Sequence, residues 1–216
     1  MIITIDGAAG TGKTTVGILT ANRLNFSFLD TGKIYRAFTL KLIKDSIQLN
    51  EEEIIKNLDK TEIHYSYDNQ KEFVFLDKID VTKEILSKEV EKSVSLISKI
   101  PEVRNKMTAL QRSIVNNKNF VVAGRDIGTV VLPEAEVKIF LIASLEERAK
   151  RRLAERKDQT YLDIIESMKN RDNIDSTRKI APLKAPENSL IIDTEGLNII
   201  EVSNKIIKET DNEYSI

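Results

Sequence analysis

Four residues near the start of the chain, Gly7, Gly12, Lys13 and Thr14, stand in the pattern G-x-x-x-x-G-K-[ST], a spacing that can hold a polyphosphate. Glycines let the backbone wrap the phosphates and aim N–H groups inward, and a following helix adds its positive N-terminal end. Lys13 then reaches the β and γ phosphates, and the Thr14 hydroxyl is the expected protein contact to Mg²⁺. The run Gly7, Ala8, Ala9, Gly10, Thr11, Gly12, Lys13, Thr14 and Thr15 is therefore the expected ATP-binding loop. A chance glycine-rich turn needs no strand before it and no helix after it. Here Met1 to Ile5 is an apolar, β-branched run suited to a buried strand, and Val16, Leu19, Arg23 and Leu24 continue at roughly helical spacing.

Three further stretches bring positive charge: Arg36, the turn Gly124-Arg125-Asp126, and the segment from Arg171 to Arg178. A lone surface arginine is usually just solvated. Arginines at separate strand ends facing one phosphate loop instead describe a second phosphate site, with charge neutralised between donor and acceptor. That is the requirement of phosphoryl transfer between two phosphorylated molecules, in which positioning and electrostatics do most of the catalysis. A monophosphate acceptor, with a second pKa of about 6, is already anionic at neutral pH and needs no general base.

The elements that must hold these groups are legible from patterning. After the loop and its helix, Phe26, Phe28 and Leu29 read as a second strand ending at Asp30-Thr31-Gly32, which makes a βαβ unit and hence a parallel sheet. A helix over 34–44 follows, and Asn50 caps a short one beyond it. The period changes to two over 63–67 and 73–76, with Asp68-Asn69-Gln70 as the turn of an inserted antiparallel hairpin. Two helices follow, the second opened by Pro101. Phe120 to Ala123 and Val137 to Ala143 are buried strands. Ser144-x-x-Glu147 is a capping box opening a basic helix through Arg156 and Lys157, and Thr160-x-x-Asp163 opens another that ends near Arg171. Leu190 to Asp193 is the last strand, and Asn198 with Glu201 starts the final helix. In open parallel sheets, ligands sit beyond the carboxyl ends of the strands, where the phosphate loop, Asp30-Thr31-Gly32 and Gly124-Arg125-Asp126 all fall.

Composition narrows the partners. With 216 residues the chain can bury a substantial core, and 33 Lys and Arg against 34 Asp and Glu argue against binding nucleic acid through bulk charge. It has no cysteine and one histidine, His64, so thiolate and imidazole metal sites are excluded. The longest apolar run, Ile139 to Ala143, is far short of a membrane span. Met1 to Ile5 lacks a basic flank, so no signal peptide is expected. The expectation is a cytoplasmic monomer with neither nucleic acid nor membrane as partner.

From Met1 to about Lys208 the chain resembles the bacterial cytidylate kinases, a branch of the nucleoside monophosphate kinases. The resemblance is carried by Ile5-Asp6-Gly7 with the phosphate loop, Leu29-Asp30-Thr31-Gly32-x-x-Tyr35-Arg36, Ile79-Asp80-Val81-Thr82, Pro101-x-Val103-Arg104, Gly124-Arg125-Asp126-Ile127-Gly128-Thr129-Val130-Val131, and Arg171-Asp172-x-x-Asp175-Ser176-Thr177-Arg178 with Ala181-Pro182-Leu183. It implies an α/β three-layer P-loop NTPase fold with a five-stranded parallel sheet, in one domain. The core spans 1–39, 117–147 and 179–216, the NMP-binding insert 40–116, and the lid 148–178. It implies transfer of the γ phosphoryl of ATP, with Mg²⁺, to CMP or dCMP.

By resemblance, Thr31, Arg36, Ser95, Arg104, Arg125, Asp126, Arg171, Asp175 and Arg178 line the CMP site, Arg152 joins the ATP site, and Lys13, Arg125, Arg171 and Arg178 are catalytic. Ser95 stands nine residues before Arg104, the family spacing. Cytosine presents an amino group where uracil presents a carbonyl, so acceptors on Ser95 and Asp126 favour cytosine while Arg104 donates to the ring's acceptor edge. Arg36 and Arg125 then hold the α phosphate and Asp175 the ribose hydroxyls. Arg171 and Arg178, with the basic helix from Arg148 to Arg152, resemble a lid that excludes water.

Three positions depart from the family pattern: Ala8 replaces the usual loop proline, Ala123 stands where an acidic residue commonly precedes Gly-Arg-Asp, and Ile174 where the lid usually has an arginine. Two rivals follow. A kinase of another small acceptor, such as shikimate or gluconate, is opposed by Ser95, Arg104, Asp126 and the hairpin. A non-catalytic nucleotide-binding switch is motivated by Ala123 and Ile174 and opposed by the retained Lys13, Thr14 and acceptor arginines.

Overall fold

A computed structural model describes residues 1–116, 118–155 and 159–214. Arg156 and Lys157, expected on the basic helix, lie outside the described residues. The chain divides into two compact units, Met1–Phe28 with Lys118–Ile216, and Leu29–Asn117.

In the first unit, the apolar opening run forms β1 (Ile2–Gly7), whose Ile3 and Ile5 are fully buried. Helix α1 (Lys13–Leu24) starts as the phosphate loop ends. It stops at Asn25, which adopts the left-handed conformation while Phe26 N–H bonds back to Ala21 O at 2.8 Å. Strand β2 (Ser27–Asp30) carries the chain from this unit into the other.

β6 (Phe120–Gly124) and β7 (Val137–Ile142) flank β1 in parallel, and β8 (Leu190–Asp193) pairs with β7. The sheet order is β2-β6-β1-β7-β8, all parallel, as expected for a five-stranded α/β core. β6 is buried along its whole length, the mark of a strand covered on both faces. A π-helical turn, Ile127–Val131, follows β6 and has no signal in the sequence.

α6 (Leu145–Glu155) and α7 (Tyr161–Thr177) pack through Ala149, Ile164 and Met168, with Ala9 of the phosphate loop against the same cluster. At the start of α6 only half of the expected capping box forms. Ser144 Oγ accepts from Glu147 N at 3.2 Å, but Ser144 N donates to Glu195 and the Glu147 carboxylate bonds Arg151. The Arg151 guanidinium, one turn on, outcompetes a neutral N–H for the carboxylate. The box at Thr160 and Asp163 is complete.

α7 runs to Thr177 rather than ending near Arg171, because nothing between 171 and 177 breaks it and Asp175 sits one turn from Arg171. α8 (Ile199–Tyr214) begins at the reciprocal pair Asn198 and Glu201 and buries Val202 and Ile206.

The second unit holds α2 (Thr31–Lys44), α3 (Glu51–Leu58), the hairpin β3 (Ile63–Asp68) and β4 (Lys71–Leu76), then α4 (Lys88–Ile97) and α5 (Pro101–Val115). Asn69 and Gln70 take positive φ at the hairpin turn, and a two-residue strand β5 (Ile79–Asp80) adds a third member. Its core is built around Phe38, Leu42, Ile85, Ile97 and Met107. Among the described residues no helix is long and apolar enough to cross a membrane.

Candidate active site

The phosphate loop leaves the end of β1 through Gly7, where φ is 149° and a Cβ would stand 2.3 Å from the Leu141 carbonyl oxygen. Gly10, at φ 79°, abuts Met168 and Arg148, so the loop lies directly on α6 and α7. Only glycine meets both demands. Inside the loop Lys13 is buried; its Nζ donates to Ala8 O at 2.6 Å and to Thr11 Oγ1 at 3.3 Å. Helix α1 opens with Gly12 at N-cap, without a side-chain cap and with no acidic residue in its first turn. That N-terminal end is suited to a phosphate.

A cavity of about 770 Å³ begins at this loop and includes Thr14 and Thr15 in its wall. Its far side is built by Arg152 of α6 and by Gly196, Leu197 and Asn198, the turn after β8. Arg151 shapes that turn: NH1 donates to Thr194 Oγ1 at 3.0 Å and NH2 to Thr194 O at 2.8 Å. Arg148 is also a brace rather than a solvated cation. It is buried and donates to Ala9 O at 3.1 Å and to Asp172 at 2.7 Å. Thr194, Gly196 and Leu197 escaped the sequence reading and Asn198 was read only as a helix start, although their place at a strand's carboxyl end was a usable signal.

Beyond β6 the same unit gathers Arg125, Asp126, Arg171, Asp175 and Arg178. Arg125 Nε meets Asp175 Oδ2 at 2.9 Å, and Arg171 Nε stands 3.9 Å from the same oxygen. Arg178 lies 4.0 Å from Asp175 Oδ1, donates through NH2 to Asp126 Oδ1 at 3.0 Å and through Nε to Ala181 O. Arg171, Asp175 and Arg178 share one face of α7 and its C-cap because four and then three residues separate them. Burial alone would raise the Asp175 carboxyl, yet the surrounding charges of Arg125, Arg171 and Arg178 outweigh it and hold the group below the usual carboxylate range. Three guanidiniums, those of Arg125, Arg171 and Arg178, are thus gathered around the Asp175 carboxylate, with Asp126 held by Arg178.

In the second unit, the N-terminus of α2 presents Thr31, buried, and Arg36, whose guanidinium reaches Ile85 O at 3.4 Å and lies 3.9 Å from Glu91. Arg104 on α5 is buried, donates to Ser98 O at 3.2 Å and lies over the Tyr35 ring at 5.7 Å. Ser95 is buried on α4. Glu72 on β4 holds the start of α2: it accepts from Asp30 N at 3.0 Å and from Tyr65 OH at 3.0 Å, and pairs with Lys33. Burial, and then the nearby Asp30, push the Glu72 carboxyl up, while Lys33 opposes them.

Among the described residues no cluster of His, Cys, Asp or Glu could hold a metal by itself. Half-buried Thr14, on the cavity wall at the helix start, suits a cation that arrives already coordinated by phosphates.

A family model for cytidylate kinase matches residues 3–212. A cytidylate kinase of Carboxydothermus hydrogenoformans is 44% identical over 213 residues, covering 96% of each chain. One from Caldanaerobacter subterraneus subsp. tengcongensis is 46% identical over 209 residues, covering 94% of this chain and 92% of its own. Among solved structures, the shikimate kinase of Bacteroides thetaiotaomicron superposes with a TM-score of 0.51 at 12% identity, covering 98% of both chains, a likeness of fold alone. With a matching model over nearly its whole length and relatives at this identity, the chain belongs to the cytidylate kinase family.

Proposed function

We propose that the protein transfers the γ phosphoryl of ATP to CMP or dCMP, giving ADP and the corresponding diphosphate. The observation that carries the chemistry is the cluster of Arg125, Arg171 and Arg178 at the end of β6, in the same unit as the phosphate loop. A shikimate kinase shares the fold alone, and the family match favours a nucleotide acceptor.

The loop N–H groups and the N-terminus of α1 bind the ATP phosphates, and the cavity wall at Arg152 and the turn after β8 receive its nucleoside. Lys13 extends from its resting bonds inside the loop to the β and γ phosphates. Thr14 would hold the Mg²⁺ that accompanies ATP, and that ion would supply neutralisation of the charge developing on the transferred group. Arg125 and Arg36 hold the CMP phosphate, Asp175 meets the ribose hydroxyls, and Arg171 and Arg178 neutralise the group in flight. Ser95, Asp126 and Arg104 read the base through its amino group and acceptor edge. The segment 148–178 acts as the lid and 40–116 as the acceptor-binding insert, with 1–39, 117–147 and 179–216 as the core; Asn117 and 156–158 lie outside the described residues. The protein is proposed to act as a cytoplasmic monomer on free nucleotides with no membrane partner, and its near-balanced charge argues against nucleic acid held through bulk charge.

A coupled assay with MgATP tests the reading. CMP should be consumed at least about tenfold more efficiently than UMP or AMP, and an enzyme inert toward CMP would sink the proposal.

A further inference from the structure

We infer that Asp6 is a positioning residue for the acceptor half of the reaction: from the last position before the phosphate loop, its carboxylate sets the turn that carries Arg125 and Asp126. The side chain is fully buried. One oxygen accepts from Ile127 N at 2.9 Å and the other from Gly128 N at 2.8 Å, the first two N–H groups of the π-helical turn Ile127–Val131. β1 and β6 pair with Asp6 opposite Gly124, so the carboxylate reaches across one strand to the residues just beyond.

The residue at the N-cap of that turn is Asp126. An aspartate there ordinarily caps its own helix with its side chain. Asp126 makes no such cap, and its Oδ1 instead takes Arg178 at 3.0 Å. Asp6 performs the capping from a neighbouring strand, and that substitution directs the Asp126 carboxylate to the ligand side. The fit is close: a Cβ at Gly128 would stand 2.8 Å from Thr4 Oγ1 and 2.9 Å from Pro186 Cγ, so no larger residue brings its N–H to Asp6.

Burial pushes the Asp6 carboxyl up to about 6; the bonds from Gly128 and Ile127 oppose it, Asp126 adds to it and Lys13 opposes it. An ionised group kept at this disadvantage at neutral pH is a poor choice for packing alone. An ionised carboxylate gives each N–H group its own oxygen, whereas a neutral amide has a single oxygen for both.

The inference rests on assigning Arg125 and Asp126 to CMP. The test uses full-length Asp6→Asn beside the wild type and Asp126→Ala, with calorimetric binding of CMP and of ATP and the ratio of kcat/KM for CMP to that for UMP. An asparagine offers one acceptor and turns its amide toward a backbone N–H. CMP affinity should fall about tenfold or more and the CMP-to-UMP ratio should fall toward that of Asp126→Ala, while ATP affinity shifts by about threefold or less. Equal losses for CMP and ATP, or a lower melting temperature with unchanged CMP affinity and ratio, overturn the inference. If Asp6→Asn does not fold, Gly128→Ala displaces the same N–H from the other side and should give the same split; wild-type CMP affinity and ratio in that variant also overturn it. A wild-type enzyme that binds CMP no better than UMP removes the acceptor assignment itself, a result separate from either variant's.

Discussion

On the proposed function, Thr14 would carry more of the protein's contact to Mg²⁺ than its counterpart in a chain with an acidic residue at 123. Ala123 is buried and opposes Ile5 in the sheet, and it offers no oxygen beyond its backbone. Thr14→Ala should lower kcat by about a hundredfold or more while leaving calorimetric CMP affinity within about twofold. Stopped-flow turnover at several Mg²⁺ concentrations checks this, and near-normal kcat would show that the metal is held without the hydroxyl. Asp6 makes a second residue-level prediction through its proton. A folded carboxyl at about 6, raised from 3.8 by burial, favours the protonated form. Its contribution to stability is therefore complete below about pH 4 and lost as pH rises through about 6. The stability of the wild type relative to Asp6→Asn should grow by up to about 3 kcal/mol between pH 7 and pH 4. Urea unfolding across that range measures the slope, and a pH-independent difference refutes the shifted carboxyl.

At the scale of elements, the hairpin of β3 and β4 does more than fill the insert. Through Glu72 it fixes Asp30 N and Lys33, the first turn of the helix that carries Thr31 and Arg36. The Glu72 and Lys33 side chains are only 2% and 16% exposed, so removing one charge leaves the other poorly solvated. Glu72→Gln should cost about 3 kcal/mol in denaturant unfolding. It should also raise KM for CMP, because α2 loses its anchor; a variant as stable as the wild type would mean the pair contributes little beyond its desolvation cost. Helices α6 and α7 likewise serve the loop beneath them, since Arg148 donates to Ala9 O and Met168 packs against Gly10.

For the whole molecule, ligand binding and stability are linked. A nucleotide that binds only the folded chain adds about 2.7 kcal/mol at a concentration a hundred times its Kd. For a 216-residue chain that is a rise of roughly 5–10 °C in melting temperature. Scanning calorimetry should show it for MgATP and for CMP separately, whereas UMP at the same concentration should give a much smaller rise; equal rises for CMP and UMP would argue against base discrimination in the ground state.

The order of elements, the phosphate loop and the parallel sheet were determined by the sequence alone, because they depend on local quantities: the period of apolar residues, cap chemistry at Asn50, Thr160 and Asn198, and glycines where no side chain fits. The arginines could be named because their motifs are contiguous. The tertiary structure decided what long-range contact alone can set. It made Arg148 and Arg151 braces and gave the Glu147 carboxylate to Arg151 instead of a cap. It extended α7 until Arg171, Asp175 and Arg178 shared a face, and carried the cavity at the phosphate loop to the turn after β8. It also set Asp6 beneath Ile127 and Gly128, 121 and 122 residues away. No periodicity encodes such a pair, since the strands that bring its members together are adjacent in the sheet but far apart in the chain.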